Sequence, residues 1–292
     1  MAFTTVTHKL GDMTITRVTE TRFTLPLSFL YPSWRSICGA ELGRLLSPAS
    51  LDVRGEEALL SVHTWVVRTG GYTLLVDTGV GNGKHRPFSA RFDQLQTSFI
   101  ARLAEAGVAP DKVDYVLLTH LHADHVGWNT QQVDGAWVPT FPRARYLFPH
   151  AEREFFATRA GMNRRMVYED SVRPVIDARQ ATLVPDCGGE FLDGIEFHPT
   201  PGHSVGHMSI SMRSQGEEAL FCGDVMHHPL QVYRPAWCST YALDECRARE
   251  SRQWLLTRAA ERGALVLSAH FPETSAGRVT RCGDGFAWRY SA

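Results

Sequence analysis

Apolar residues along this 292-residue chain fall mostly in short runs of strand length, separated by turn-forming residues. Met13-Thr14-Ile15-Thr16-Arg17-Val18 alternates and predicts a strand. Leu60–Val67 and Tyr72–Val76 flank Gly70-Gly71, the pattern of a hairpin closed by a two-residue turn. Over residues 90–106, Phe92, Leu95, Phe99 and Leu103 recur every three or four positions, which predicts an amphipathic helix stopped by Gly107. Tyr115-Val116-Leu117-Leu118 is continuously apolar and reads as a buried strand. Gly127–Pro142 carries Trp128, Trp137 and Phe141 among turn residues and predicts a loop with a short hairpin. Residues 150–178 show a helical pattern with many charges. Short strands are expected at Ala181–Val184, Ile195–His198, His207–Met212, Ala219–Cys222 and Ala264–Leu267. A helix is expected over 243–262, stopped by Gly263, and a hairpin over Gly277–Tyr290 around Gly283-Asp284-Gly285.

Residues 1–57 read as an N-terminal extension packed on the core, and residues 58–292 as one domain with no linker or low-complexity segment. Within the extension, Phe23–Trp34 is apolar but broken by Pro26 and Pro32, which suits neither a helix nor a central strand. It is either a loop packed on the core or at a contact between two copies of the chain, or a flap over a cleft. Phe29 and Trp34 of this segment, with Phe155 and Phe156, are candidates for the mouth of an apolar substrate pocket. Core packing is the alternative for the two later phenylalanines.

The chemistry concentrates in Thr119-His120-Leu121-His122-Ala123-Asp124-His125-Val126-Gly127. Imidazole and carboxylate are preferred ligands of zinc and its first-row neighbours. His120 and His122 are two apart and point the same way in an extended segment. Asp124 and His125 follow where the chain must turn, so they can serve a second ion. Three more candidates sit at strand ends or Gly/Pro turns: His203 in Thr200-Pro201-Gly202-His203-Ser204, Asp224 in Phe221-Cys222-Gly223-Asp224, and His270 in Leu267-Ser268-Ala269-His270.

This pattern, H-x-H-x-D-H followed by spaced His, Asp and His, resembles the metallo-β-lactamase-fold hydrolase superfamily from about Ser61 onward. The resemblance implies an α/β fold, a four-layer αββα sandwich of two facing sheets with helices outside. It implies that His120, His122 and His203 hold one divalent ion, that Asp124, His125 and His270 hold another, and that Asp224 bridges both. Zinc is the default, although manganese, iron, cobalt and nickel also accept such ligands. A hydroxide between two such ions attacks the substrate in this family's chemistry. Asp77 in Asp77-Thr78-Gly79 matches the family's first motif and supports the site from behind. His63 and His207 read as structural histidines and Cys222 as core.

Beyond Asp224 the chain reads Val225-Met226-His227-His228-Pro229, with a histidine where the better-known homoserine lactonases place a tyrosine. This looks like the methyl parathion hydrolase branch, as do Ala269-His270-Phe271-Pro272, Gly277-Arg278-Val279 and Phe141-Pro142. The function implied is opening of lactones or carboxylic esters, with Asp224 and His227 as catalytic candidates. Phosphotriesters, β-lactams and thioesters are the alternative substrates. His227 either donates a proton to the leaving group or bonds a ligand carboxylate, and His228 is available for the other role.

Composition narrows the setting. Thirty basic and 31 acidic residues leave a net charge of −1, and no long basic run appears, so the partner expected is a small-molecule substrate and not nucleic acid. No apolar run reaches the roughly 18 residues of a membrane helix, and Met1–Thr5 does not open a signal peptide. The six cysteines (Cys38, Cys187, Cys222, Cys238, Cys246 and Cys282) have no C-x-x-C spacing, which suits reduced thiols in a cytoplasm.

Overall fold

The computed structural model describes residues 5–34 and 46–292. Cys38 and the rest of 35–45, with the first four residues, lie outside the described residues. The chain forms two compact units, each made of two segments: Met1–Thr21 with Val62–Gly188, and Arg22–Ser61 with Gly189–Ala292. The first 57 residues are thus divided between both units.

In chain order the first nine strands are β1 (Val6–Leu10), β2 (Met13–Pro26), β3 (Glu57–Thr69), β4 (Tyr72–Val76), β5 (Tyr115–Leu117), β6 (Thr130–Val133), β7 (Ala136–Pro139), β8 (Arg145–Pro149) and β9 (Ala181–Val184). Among the described residues, seven of them make one sheet in the order β1-β2-β3-β4-β5-β8-β9, while β6 and β7 form the separate hairpin expected after Gly127. The β3–β4 turn is Gly70-Gly71, with φ of 54° and 83°, values that glycine adopts without strain. From β4 onward the sheet is parallel, with Val76 level with Leu117. Parallel neighbours release the chain at the same edge, so Asp77 after β4 and His120 after β5 emerge side by side.

The helix expected over residues 90–106 is a single short one, Phe99–Glu105. Gln94 adopts a left-handed φ of 52°, and Asp93 accepts the N–H of Arg86 at 2.5 Å, which turns that segment into a looped structure. Phe99 and Leu103 still bury their side chains as the periodicity required, and Phe99 stacks on Trp128 at 5.4 Å.

The second unit carries β10 (Gly189–Leu192), β11 (Ile195–Pro199), β12 (Met208–Ser214), β13 (Glu217–Gly223), β14 (Leu265–Ser268), β15 (Ala276–Cys282) and β16 (Gly285–Tyr290), paired in that order. Only β13 and β14 are parallel, joined through helix Glu245–Arg262. Their shared direction brings Asp224 and His270 off one edge. The helix is started by Asp244, whose carboxylate accepts the N–H of Arg247, and ended by left-handed Gly263. Leu255, Leu256 and Ala259 bury against Val266, Leu220 and Phe271.

The Phe23–Trp34 stretch also differs from expectation. Phe23–Pro26 completes β2 and Leu27–Leu30 forms one helical turn. Pro26 is the last residue of its strand, where a missing N–H is tolerated. Leu25, Leu27, Leu30 and Tyr31 are buried with Leu60 and Leu230. Among the described residues, no helix is long and apolar enough to cross a membrane.

Candidate metal centre

In the first unit the H-x-H-x-D-H segment leaves β5 and folds into a tight turn, with His125 N–H bonded to the His122 carbonyl at 3.1 Å. His120 and His125 are buried, and the His120 ring lies 4.5 Å from that of His122 and 4.1 Å from that of His125. Asp77 stands behind them with φ of 53°. Its carboxylate accepts the N–H of Thr119 at 2.9 Å, the Thr119 hydroxyl at 2.9 Å and Nδ1 of His125 at 2.8 Å. The single Thr119 hydroxyl proton goes to Asp77, so its oxygen accepts from Nδ1 of His120 at 3.0 Å. Both histidines thereby carry the proton on Nδ1 and leave Nε2 as the ligating atom. This is how proteins orient histidines that bind metals.

Two buried carboxylates that sequence reading passed over brace this segment. Leu121, between His120 and His122, donates its N–H to Glu152 at 3.2 Å. Glu20, from β2, accepts the N–H groups of Val80 at 2.6 Å and Gly81 at 3.2 Å, and the Trp128 indole N–H at 2.6 Å. Burial pushes the Glu20 carboxyl above its usual range against these bonds, which favour the ionised form. The segments that Glu20 joins are already laced together. Thr78 donates its N–H to the His125 carbonyl at 2.7 Å, and Gly127 donates to Gly79 at 2.7 Å. At Gly127 a Cβ would lie 1.8 Å from the Val80 oxygen, so only glycine permits this approach. No local pattern marks Glu20, because its partners lie some 60 and 108 residues away.

In the second unit, both oxygens of Asp224 face histidine nitrogens. Nε2 of His203 is 3.1 Å and Nε2 of His227 3.4 Å from Oδ2, and Nε2 of His270 is 3.0 Å from Oδ1. All four side chains are buried. His270 donates Nδ1–H to the Ser61 carbonyl at 2.9 Å, which again leaves Nε2 toward the carboxylate. His203 sits in a turn pressed against helix Glu245–Arg262; a Cβ on Gly202 would meet the Ala248 nitrogen at 2.1 Å. The His227 ring stacks on His270 at 5.8 Å and lies 5.0 Å from His203.

His207, read from sequence as structural, positions the bridging candidate directly. Its Nε2 accepts the backbone N–H of Asp224 at 2.9 Å, and its Nδ1 meets Thr200 Oγ1 at 2.9 Å. His228 bonds no ligand carboxylate in the second unit. Its Nε2 donates to the Ser50 carbonyl at 2.8 Å and its Nδ1 accepts the Leu230 N–H at 3.3 Å. Burial pushes its pKa down to about 4. The Cys222 thiol is pushed up to about 12 by burial and by the nearby Asp224 charge, which suits a core residue and not a nucleophile. His63 is buried edge-on against Trp65 at 5.1 Å.

The pocket candidates differ among themselves. Phe29 is 50% exposed and meets Tyr241 edge-on at 6.1 Å. Trp34 is half-buried against Trp237 at 6.0 Å. Phe156 lies in the first unit's core, 5.4 Å from Tyr168, and half-buried Phe155 touches it at 6.2 Å.

The donor chemistry fits divalent ions of the zinc class. It consists of imidazoles, those of His120, His125 and His270 with tautomers fixed by their Nδ1 partners, and carboxylates, with the ligand atoms of His120 and His122, of Asp124 and His125, and of His203 and Asp224 within 4.8 Å in each pair. Residues 58–270 match the Metallo-beta-lactamase superfamily. Among solved structures, the chain is similar to hydrolase AbOPH of the beta lactamase superfamily (TM-score 0.84, 22% identity, 100% of this chain and 99% of that one). It is also similar to AidC, a dizinc quorum-quenching lactonase solved with a product (TM-score 0.78, 20% identity, 99% and 97%). These likenesses show the fold, and the α/β class expected from the resemblance holds. Among curated proteins, an atrochrysone carboxyl ACP thioesterase of Aspergillus fumigatus is 29% identical over 174 residues, 59% of this chain and 42% of that protein. The chain thus spans less than half the length of this curated relative.

Proposed function

The chain belongs to the metallo-beta-lactamase superfamily, and from that premise we propose that it hydrolyses lactones or carboxylic esters with two bound divalent metal ions, zinc by default. The ligands assigned are His120, His122 and His203 for one ion and Asp124, His125 and His270 for the other, with Asp224 shared. When bound, such a pair polarises the attacked carbonyl and lowers the pKa of a water. The chain's own residues do the rest. Asp77 and the Ser61 carbonyl fix the tautomers of His125 and His270. His207 holds the Asp224 backbone, and His227 donates a proton to the departing alkoxide. His228, committed to Ser50, takes no part in this.

The observation that carries this reading is the Asp224 carboxylate, with histidine nitrogens 3.0 and 3.1 Å from its two separate oxygens. A carboxylate so placed suits a bridging ligand. The lactonase activity stated for AidC supports a lactone substrate, and the His227 position and the Phe141-Pro142 and Ala269–Pro272 segments support the methyl parathion hydrolase branch. Thioester hydrolysis is the second reading, favoured by the similarity to the Aspergillus thioesterase. The cysteines described are free thiols, which suits action in a reducing cytoplasm.

The test is metal analysis of the purified protein, then a screen of the metal-loaded protein over lactones, aryl esters, thioesters, phosphotriesters and β-lactams. About two ions per chain and the highest kcat/KM on lactones or esters are expected. One ion or none under metal-replete conditions, or a preference for another substrate class, would overturn it.

A further inference from the structure

Within the second unit a line of rings leads outward from Asp224. His227 lies 3.4 Å from its carboxylate, the Tyr241 ring 6.0 Å from His227 at a 32° tilt, and the Phe29 ring 6.1 Å beyond. Exposure rises along this line, from 4% at Asp224 and 5% at His227 to 42% at Tyr241 and 50% at Phe29. Polarity falls in the same direction. Two large aromatic rings are therefore held in solvent beside a buried polar cluster, where folding alone would favour covering them.

Backbone hydrogen bonds anchor this placement. Tyr241 sits on a loop pinned at both ends. The N–H of Thr240 bonds the Leu30 carbonyl at 3.0 Å, next to Phe29, and the N–H of Leu243 bonds the His203 carbonyl at 3.2 Å. Buried Gln231 ties three segments together. It accepts the Tyr31 hydroxyl at 3.0 Å and the His227 N–H at 2.8 Å, and donates to the Trp237 carbonyl at 3.0 Å. One side-chain amide thus fixes the backbone of His227, the ring next to Tyr241, and ties it to Tyr31 and Trp237.

We propose that Tyr241 and Phe29 form the subsite for the apolar acyl chain of the substrate, which makes Tyr241 a residue that sets chain-length specificity. This rests on the hydrolase reading above and names its substrate class: esters or lactones with an acyl chain long enough to pass His227 and lie on both rings. Binding sites of this kind combine apolar walls with a few polar groups that orient the ligand. Asp224 and His227 supply the polar end here, and the two rings supply the wall.

The test uses the metal-loaded full chain and nitrophenyl esters of acetate and octanoate. Each methylene buried on the rings is worth about fourfold in kcat/KM, so the wild type should prefer octanoyl over acetyl by tenfold or more. Tyr241→Ala and Phe29→Ala should each lower that octanoyl-to-acetyl ratio about tenfold, and Tyr241→Phe should keep it. Equal losses on both esters, or no chain-length preference in the wild type, overturn the proposal. Calorimetric titration with octanoate and acetate separates it from the hydrolase reading. If neither ester is cleaved, that reading falls, and the subsite is still judged by whether octanoate binds more tightly than acetate and loses this advantage in Tyr241→Ala. Equal binding of the two acids overturns it.

Discussion

Asp224 gives its backbone N–H to Nε2 of His207 at 2.9 Å. An imidazole accepts on one nitrogen only when neutral, so the His207 proton sits on Nδ1 and is donated to Thr200 Oγ1 at 2.9 Å. Thr200 in turn lies 3.1 Å from Ser209 Oγ. This chain of bonds sets the strand-to-turn geometry that points the Asp224 carboxylate. His207→Phe removes the acceptor and leaves the Asp224 N–H buried and unbonded. Metal affinity should fall roughly 10–100-fold, as for other groups that orient ligands. His207→Gln, whose amide oxygen can accept, should retain more of it. Equilibrium dialysis against graded chelator reads both.

Asp77→Ala strips acceptors from the Thr119 N–H, the Thr119 hydroxyl and His125 Nδ1 at once. The expected cost is about 1–3 kcal/mol in unfolding free energy. The ion assigned to Asp124, His125 and His270 should be lost first, so metal content should drift from about two ions per chain toward about one. A variant that keeps both ions at wild-type affinity would show that His125 holds its orientation without Asp77.

For His227, the leaving group is the discriminating probe. If its ring protonates a departing alkoxide, His227→Ala should lower kcat on alkyl lactones by roughly 10²–10⁴-fold and on nitrophenyl esters far less, because nitrophenolate leaves without a proton. Metal content should stay constant. Matched losses on both substrates together with lost metal would assign His227 to holding Asp224, whose Oδ2 is 3.4 Å away.

His228 gives the fold a pH dependence of known sign. Its pKa is near 4 when folded, against an ordinary value of 6.5, because burial disfavours the charged ring. The unfolded chain therefore binds one proton more than the native state between those values. The stability this group contributes is complete above pH 6.5 and is lost as pH falls toward 4, by at most about 1.4 kcal/mol per pH unit. Thermal midpoints measured over this range should fall less steeply for His228→Gln than for the wild type. Identical slopes would rule His228 out as the source.

The candidate metal ligands were legible because they are chemically distinctive residues at strand ends or in the turns that follow them, and a strand end is announced by the apolar run before it. His120 after Tyr115–Leu118 and His270 after Ala264–Leu267 both follow that rule. Hairpins at Gly70-Gly71 and Gly283-Asp284 were legible for a related reason, since a turn's demands are local. Helix periodicity misled at 90–106, where Phe92 and Leu95 keep a helical interval but Asn82 accepts the Thr97 N–H from outside the segment and Asp93 turns its carboxylate back to the Arg86 N–H. Glu20 and Glu152 stayed hidden because their work is done on partners distant in sequence. An acidic residue in a strand or helix looks like solvated surface until its acceptor role is seen. His228 likewise looked available for the site until its bond to Ser50 placed it in the packing of the second unit.

The two-segment construction of each unit has a consequence for synthesis on the ribosome. Once Gly188 has emerged, every residue of the first unit is present and its core can close. Arg22–Ser61 must wait for residues 189–292, a delay of about 5–20 s at ordinary elongation rates. During that interval Leu25, Leu27, Leu30 and Tyr31, all buried in the finished protein, lack Leu230, Tyr233 and Trp237, the part of their apolar cluster that the later segment supplies. The nascent chain thus carries a sticky internal loop tethered at both ends to a folded body. Chaperone capture in the cell, and the yield of refolding in its absence, should depend on that loop.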